Sequence, residues 1–70
     1  MSKYLYAKHP SISHLAFKLD TETKLTYLIL VDRVREEFNN GTNLSDVLHS
    51  RYSKEDLNFV EIEVFLLLLN

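Results

Sequence analysis

The three histidines are the residues of this 70-residue chain best suited to bind a metal, but their spacing argues against a metal site. His9 and His14 are five positions apart, which places them on different faces of a helix. His49 follows Asp46 by three positions, a spacing that suits a single hydrogen bond. A zinc site needs three or four converging ligands, and the chain has no cysteine to supply a thiolate. We therefore expect neither a metal nor a cofactor.

The carboxylates and hydroxyls also lack a catalytic arrangement. Glu61 and Glu63 point about 200° apart on a helix, whereas on a strand they share a face. No serine stands in a motif that pairs a nucleophile with a base. The single glycine, Gly41, excludes a glycine-rich phosphate loop. We expect a protein that is not an enzyme and has no small-molecule substrate.

Length and composition indicate one domain, residues 1–70, that is marginally stable by itself. A chain of this size buries only about 60% of its unfolded surface. Hydrophobic residues make up 46% of the sequence, which argues against disorder. Since disulfides are impossible without cysteine, oligomerisation is the most accessible source of extra stability.

The charge distribution argues against a nucleic-acid partner. Eight lysines and arginines are scattered among ten acidic residues, and the net charge is −2. One alternative remains, a small dimeric DNA-binding transcriptional regulator in which helices 21–40 and 44–51 imitate a helix-turn-helix. Asp46 would repel phosphate there. The second helix would offer four polar residues to the groove: Ser45, His49, Ser50 and Arg51.

Helical periodicity predicts an all-α fold, a small bundle of three to four helices behind an N-terminal arm. The helices are expected at about 11–19, 21–40, 44–51 and 54–69. Pro10 suits the first turn of one helix, and Gly41 suits the left-handed end of another. The clearest apolar stripe has helical spacing and consists of Tyr27, Leu30, Val31, Val34 and Phe38.

Strand-like alternation supports a second architecture, an α+β fold with a hairpin around 12–31 and a C-terminal strand. Apolar residues alternate on both sides of a polar run at 20–24, and Val60 to Val64 alternates as well. Against this fold, the usual glycine of such a turn is absent, and Lys24 stands in its place. We therefore rank the helical bundle first.

The four consecutive leucines, Leu66 to Leu69, are the strongest sign of a partner. On a helix their side chains fan through roughly 300°, so no single core covers them. We expect a protein interface formed by Phe59, Ile62, Phe65, Leu66 and Leu69, with Tyr4 and Tyr6. The chain would then be a small regulator or inhibitor that binds another protein, forms a homodimer, or does both.

Targeting signals are missing from the sequence as it stands. Residues 1–9 hold no apolar stretch of the length that a signal peptide needs. The apolar run from Val64 to Leu69 is far shorter than the roughly 20 residues that span a bilayer. We expect a cytoplasmic protein without a membrane span.

Overall fold

A computed structural model describes residues 3–43 and 57–69 and shows a three-stranded antiparallel sheet with two helices. The predicted helical bundle is therefore wrong, and the α+β alternative fits better. The elements in chain order are β1 (Tyr4–Lys8), β2 (Leu15–Asp20), β3 (Thr26–Leu30), α1 (Val31–Asn40) and α2 (Ile62–Leu68). The predicted helix 44–51 lies outside the described residues.

Strand β2 occupies the segment that was predicted as helix 11–19, and it forms the centre of the sheet. Its sequence fits both periods, because Leu15, Ala16 and Leu19 have helical spacing while Leu15, Phe17 and Leu19 alternate. The segment forms a strand and not a helix because β1 and β3 supply hydrogen-bonding partners on both of its edges.

The β2–β3 hairpin matches the alternative prediction and explains how the turn forms without glycine. Lys24 takes the left-handed conformation itself, with φ of 65°. The Asp20 carboxylate accepts the N–H groups of Glu22 and Thr23 at 2.9 and 3.2 Å. Burial alone would raise the pKa of this carboxyl, but these N–H bonds and nearby Lys3 outweigh burial and lower the pKa.

Helix α1 covers only the second half of the predicted helix 21–40, but its end at Asn40 is confirmed. It begins directly after β3, where the Val31 N–H donates to the carbonyl oxygen of His14 at 3.0 Å. Gly41 has φ of 69°, and its N–H and that of Thr42 donate to carbonyls of the last turn. This is the Schellman arrangement that the glycine predicts.

Helix α2 is shorter than the predicted helix 54–69, and the predicted C-terminal strand reduces to one bridge. Val60 and Tyr6 exchange backbone hydrogen bonds of 2.8 Å, which ties the chain to the outer edge of β1. The helix then begins at Ile62. The sheet, α1 and α2 enclose a core of Tyr6, Ala16, Ile29, Val31, Val34 and Phe65.

Candidate interaction surface

The residues predicted to form an interface mostly serve the monomer. Phe65 is fully buried, and its ring lies 5.9 Å from that of Tyr6, which is also buried. Five others are partly buried: Tyr4, Phe59, Ile62, Leu66 and Leu69. The structure thus turns this stripe of α2 inward, and the contact of these residues with a partner stays a prediction.

The opposite stripe of α2 is the one that faces outward. Leu67 leaves 72% of its surface exposed, Leu68 51% and Val64 44%. Phe38 on α1 is 45% exposed. We call these four side chains the apolar face. None of these four residues was part of the interface predicted from the sequence.

A groove of about 320 Å³ runs between the two helices beside this face. Phe38, Leu66 and Leu67 form its apolar lining. Arg35 on α1 and Glu63 on α2 also line it, so its two walls carry opposite charges. Within residues 3–43 and 57–69 neither of these two side chains forms an ion pair, and both are exposed. The groove therefore presents apolar surface together with one positive and one negative group.

A second feature, a buried polar cluster, joins the sheet to α1. Lys18 of β2 is 2% exposed, and its Nζ donates to Glu37 Oε2 at 2.6 Å. The Tyr6 hydroxyl donates to the other carboxylate oxygen at 2.6 Å. Nζ also donates to the side-chain oxygen of Asn43 and lies 4.4 Å from the centre of the Tyr4 ring. The ammonium is thus surrounded by acceptors and an aromatic face.

The chemistry of this cluster suits a structural role. Its lysine and glutamate cancel in charge, and each is already bonded to protein groups. Burial raises the pKa of the Tyr6 phenol, and the hydrogen bond to Glu37 raises it further, so the phenol stays protonated and donates. The cluster therefore joins β1, β2 and α1 through hydrogen bonds that these side chains make to one another.

The sequence did not predict this cluster, although a signal was present. Lys18 alternates with Ala16 and Asp20 on the helix-facing side of β2, and Glu37 lies three residues after buried Val34. Recognising the pair requires knowing that β2 and α1 are in contact. Local patterns do not contain that information.

An open cleft of about 470 Å³ lies above the polar cluster. Its walls come from the start of β1, the end of α1 and the first residue of α2, and include Tyr4, Phe38, Asn43 and Ile62. The polar atoms at its floor already bond to one another. The described residues give the cleft aromatic and apolar surface, with the Lys3 ammonium on its wall.

The candidate chemical residues that the structure describes lie apart from one another. His9 accepts the N–H groups of Ser11 and Ile12 at 3.0 and 2.9 Å, and its ring stacks on Phe17. His14 lies in the turn before β2, and His49 is outside the described residues. Glu61 precedes α2, whereas Glu63 lines the groove. In the described part of the chain, no three His, Cys, Asp or Glu side chains are grouped to hold a metal.

Two further findings concern membranes and known proteins. Among the residues that the structure describes, no helix has the length and apolar character to cross a bilayer. Comparisons with protein-family models, with curated proteins and with solved structures find no match for this chain. For the helix-turn-helix alternative, the first predicted helix, 21–40, is helical only over Val31–Asn40, and the second lies outside the described residues.

Proposed function

We propose that this chain is a small regulatory protein-interaction module that acts by binding another protein, by forming a homodimer, or by both, and that it is not an enzyme. The supporting observation is the apolar face of Phe38, Val64, Leu67 and Leu68. Exposed apolar side chains that are contiguous and bordered by polar groups mark interaction sites. The proposal includes the cytoplasmic location expected from the sequence, which a chain without cysteine suits.

The energetics of the apolar face favour a bound state. Burying a leucine fully is worth roughly 1.5–3 kcal/mol relative to leaving it in water. Leu67 and Leu68 are more than half exposed, so most of that gain is left for a partner. The residues that dominate binding energy in protein interfaces lie in well-packed pockets that become fully desolvated, and Phe38 and Leu67 line a groove that a partner could fill in this way. Charged Arg35 and Glu63 beside them supply the polar rim.

The buried polar cluster supports the non-enzymatic part of the proposal. Perturbed and incompletely paired groups in a cleft are typical of catalytic sites. Here the Lys18 ammonium, the Glu37 carboxylate and the Tyr6 hydroxyl bond to one another. This arrangement suits a structural role, in which the sheet is joined to α1, better than a catalytic role.

The test is a comparison of Leu67→Asp with the wild type in capture of proteins from extract of the native host. A carboxylate in the centre of the face should abolish binding of the specific partner, identified by mass spectrometry. The variant should keep its unfolding midpoint, because Leu67 is 72% exposed. The control is Ile12→Asp, the same kind of change at an exposed apolar residue in the β1–β2 turn. Capture that survives Leu67→Asp contradicts the proposal.

A further inference from the structure

The groove between α1 and α2 holds two features that together specify an occupant. The first is a projecting side chain next to a depression. Leu67 is the most exposed large apolar residue among those described, and it stands at the edge of the 320 Å³ groove that it helps to line. Each molecule therefore carries both an apolar knob and an apolar hole on the same surface.

The second feature is the opposite charge of the two walls. Arg35 stands on the α1 wall and Glu63 on the α2 wall. A two-fold axis that runs along the groove, in the plane of the contact, exchanges the two walls, so that α1 of one molecule faces α2 of the other. In such a contact residue i meets residue j, and j meets i. Arg35 of each copy then meets Glu63 of the other, and two ion pairs form.

We propose that the occupant of the groove is a second copy of this chain, bound about such a two-fold axis with Leu67 of each copy inserted beside Phe38 of the other. This inference rests on the proposed function, because it names the partner of the same apolar face. A different protein would need both the knob and the matching charge pattern on its own surface. A second copy supplies both without further requirement.

The experiment is sedimentation equilibrium of charge-reversal variants over a wide range of concentrations. The wild type should show a mass that rises from monomer to dimer. Arg35→Glu and Glu63→Arg should each weaken the dimer about tenfold or more, because each converts two attractive contacts into two repulsive ones. Lys8→Glu, an equal charge reversal on β1, should leave the dimer unchanged.

The decisive experiment combines the two charge reversals, either by mixing the two variants or in one double variant. Arg35→Glu mixed with Glu63→Arg restores two opposite-charge contacts in a mixed dimer, and the double variant Arg35→Glu/Glu63→Arg restores them in a dimer of itself. Both samples should recover the wild-type affinity. A wild type that stays monomeric, or a dimer that ignores the reversals, overturns the inference. Circular dichroism of each variant confirms that the fold is intact.

Failure of the inference and failure of the proposed function are distinguishable. A monomeric chain that still captures another protein through Leu67 contradicts the second copy and keeps the interaction module. A monomer that captures nothing contradicts both. A charge-sensitive dimer supports the inference whether or not another protein is captured.

Discussion

At the scale of single residues, the most consequential pair is Lys18 and Glu37. Both are almost fully buried, at 2% and 4% exposure, and they join the central strand to α1. Removing two charges from water is costly, and an apolar pair of the same size is often as stable. We infer that the pair helps to fix the placement of α1 on the sheet, because a shifted helix would leave both charges buried without their partners.

Breaking this pair should destabilise the fold strongly. Lys18→Met and Glu37→Gln each leave one charge buried alone, so each should lower the free energy of unfolding by about 3–5 kcal/mol. The double variant should recover part of this loss, since no unpaired charge remains. Urea unfolding measures all three.

The matched control for the buried pair is an exposed one. Arg33→Met removes the ion pair of 3.4 Å with Glu36 on the surface of α1. Its cost should stay within about 1 kcal/mol. Single variants at Lys18 and Glu37 that cost no more than this control would show that the pair is solvated in solution.

We expect Tyr6 to make the stability of the fold depend on pH in the alkaline range. Its pKa is raised by burial first and by the Glu37 hydrogen bond second. A group whose pKa is higher in the folded state stabilises fully below its unfolded pKa of about 10 and loses that contribution as pH rises above it.

We therefore expect the stability of the wild type to fall between pH 9 and pH 12, roughly the window around the unfolded tyrosine pKa. Tyr6→Phe should start lower, because Glu37 loses a donor, and should then fall less steeply over the same window. Thermal unfolding at a series of pH values measures both slopes. Equal slopes in the two proteins would show that another group causes the alkaline loss.

At the scale of elements, the β2–β3 hairpin contains a residue whose type is poorly suited to its backbone conformation. Its loop places Lys24 at a φ of 65°, where a side chain costs roughly 1–2 kcal/mol relative to the ordinary helical conformation. The Lys24 N–H donates to the carbonyl oxygen of Asp20 at 2.7 Å, which holds the residue in this conformation. The hairpin thus forms although its sequence lacks the residue best suited to the turn.

Glycine at this position should relieve the conflict. Lys24→Gly should raise the free energy of unfolding by about 0.5 kcal/mol, after subtraction of the entropy that glycine adds to the unfolded chain. Lys24→Val should lower it, because a β-branched residue tolerates positive φ poorly. Urea midpoints measure both changes. The control is Glu22→Gly in the same loop, which should lower stability; a gain there would mean that loop flexibility, not φ, is responsible.

At the scale of the whole molecule, the described elements form one sheet whose helix-facing side is covered by α1 and α2. Every residue of helix α2 except Glu63 is apolar, and the sheet and α1 cover only one side of it. The uncovered side is the apolar face, and the groove beside it carries the opposite charges of Arg35 and Glu63. The proposed dimer would cover the side of α2 that the described elements leave exposed.

Several features of this protein follow from the sequence by itself. Gly41 ends α1 because a left-handed residue is needed there, and that requirement is local. The alternation in β2 and the loop at 20–24 were visible as a possible hairpin. The excess of apolar surface around 62–69 was also visible, since it depends only on composition and on the turn per residue of a helix.

Three features depended on the tertiary structure alone. It selected the strand period over the helical period in 15–31, it gave Lys18 its partner, and it determined which side of α2 faces outward. A strand is stabilised by hydrogen bonds to other strands, and those partners lie far away in the sequence. The side of a helix that becomes buried is likewise fixed by the element it meets, here β1 and α1. Local patterns limit the possible elements, but contacts between distant residues select which of them form and which way they face.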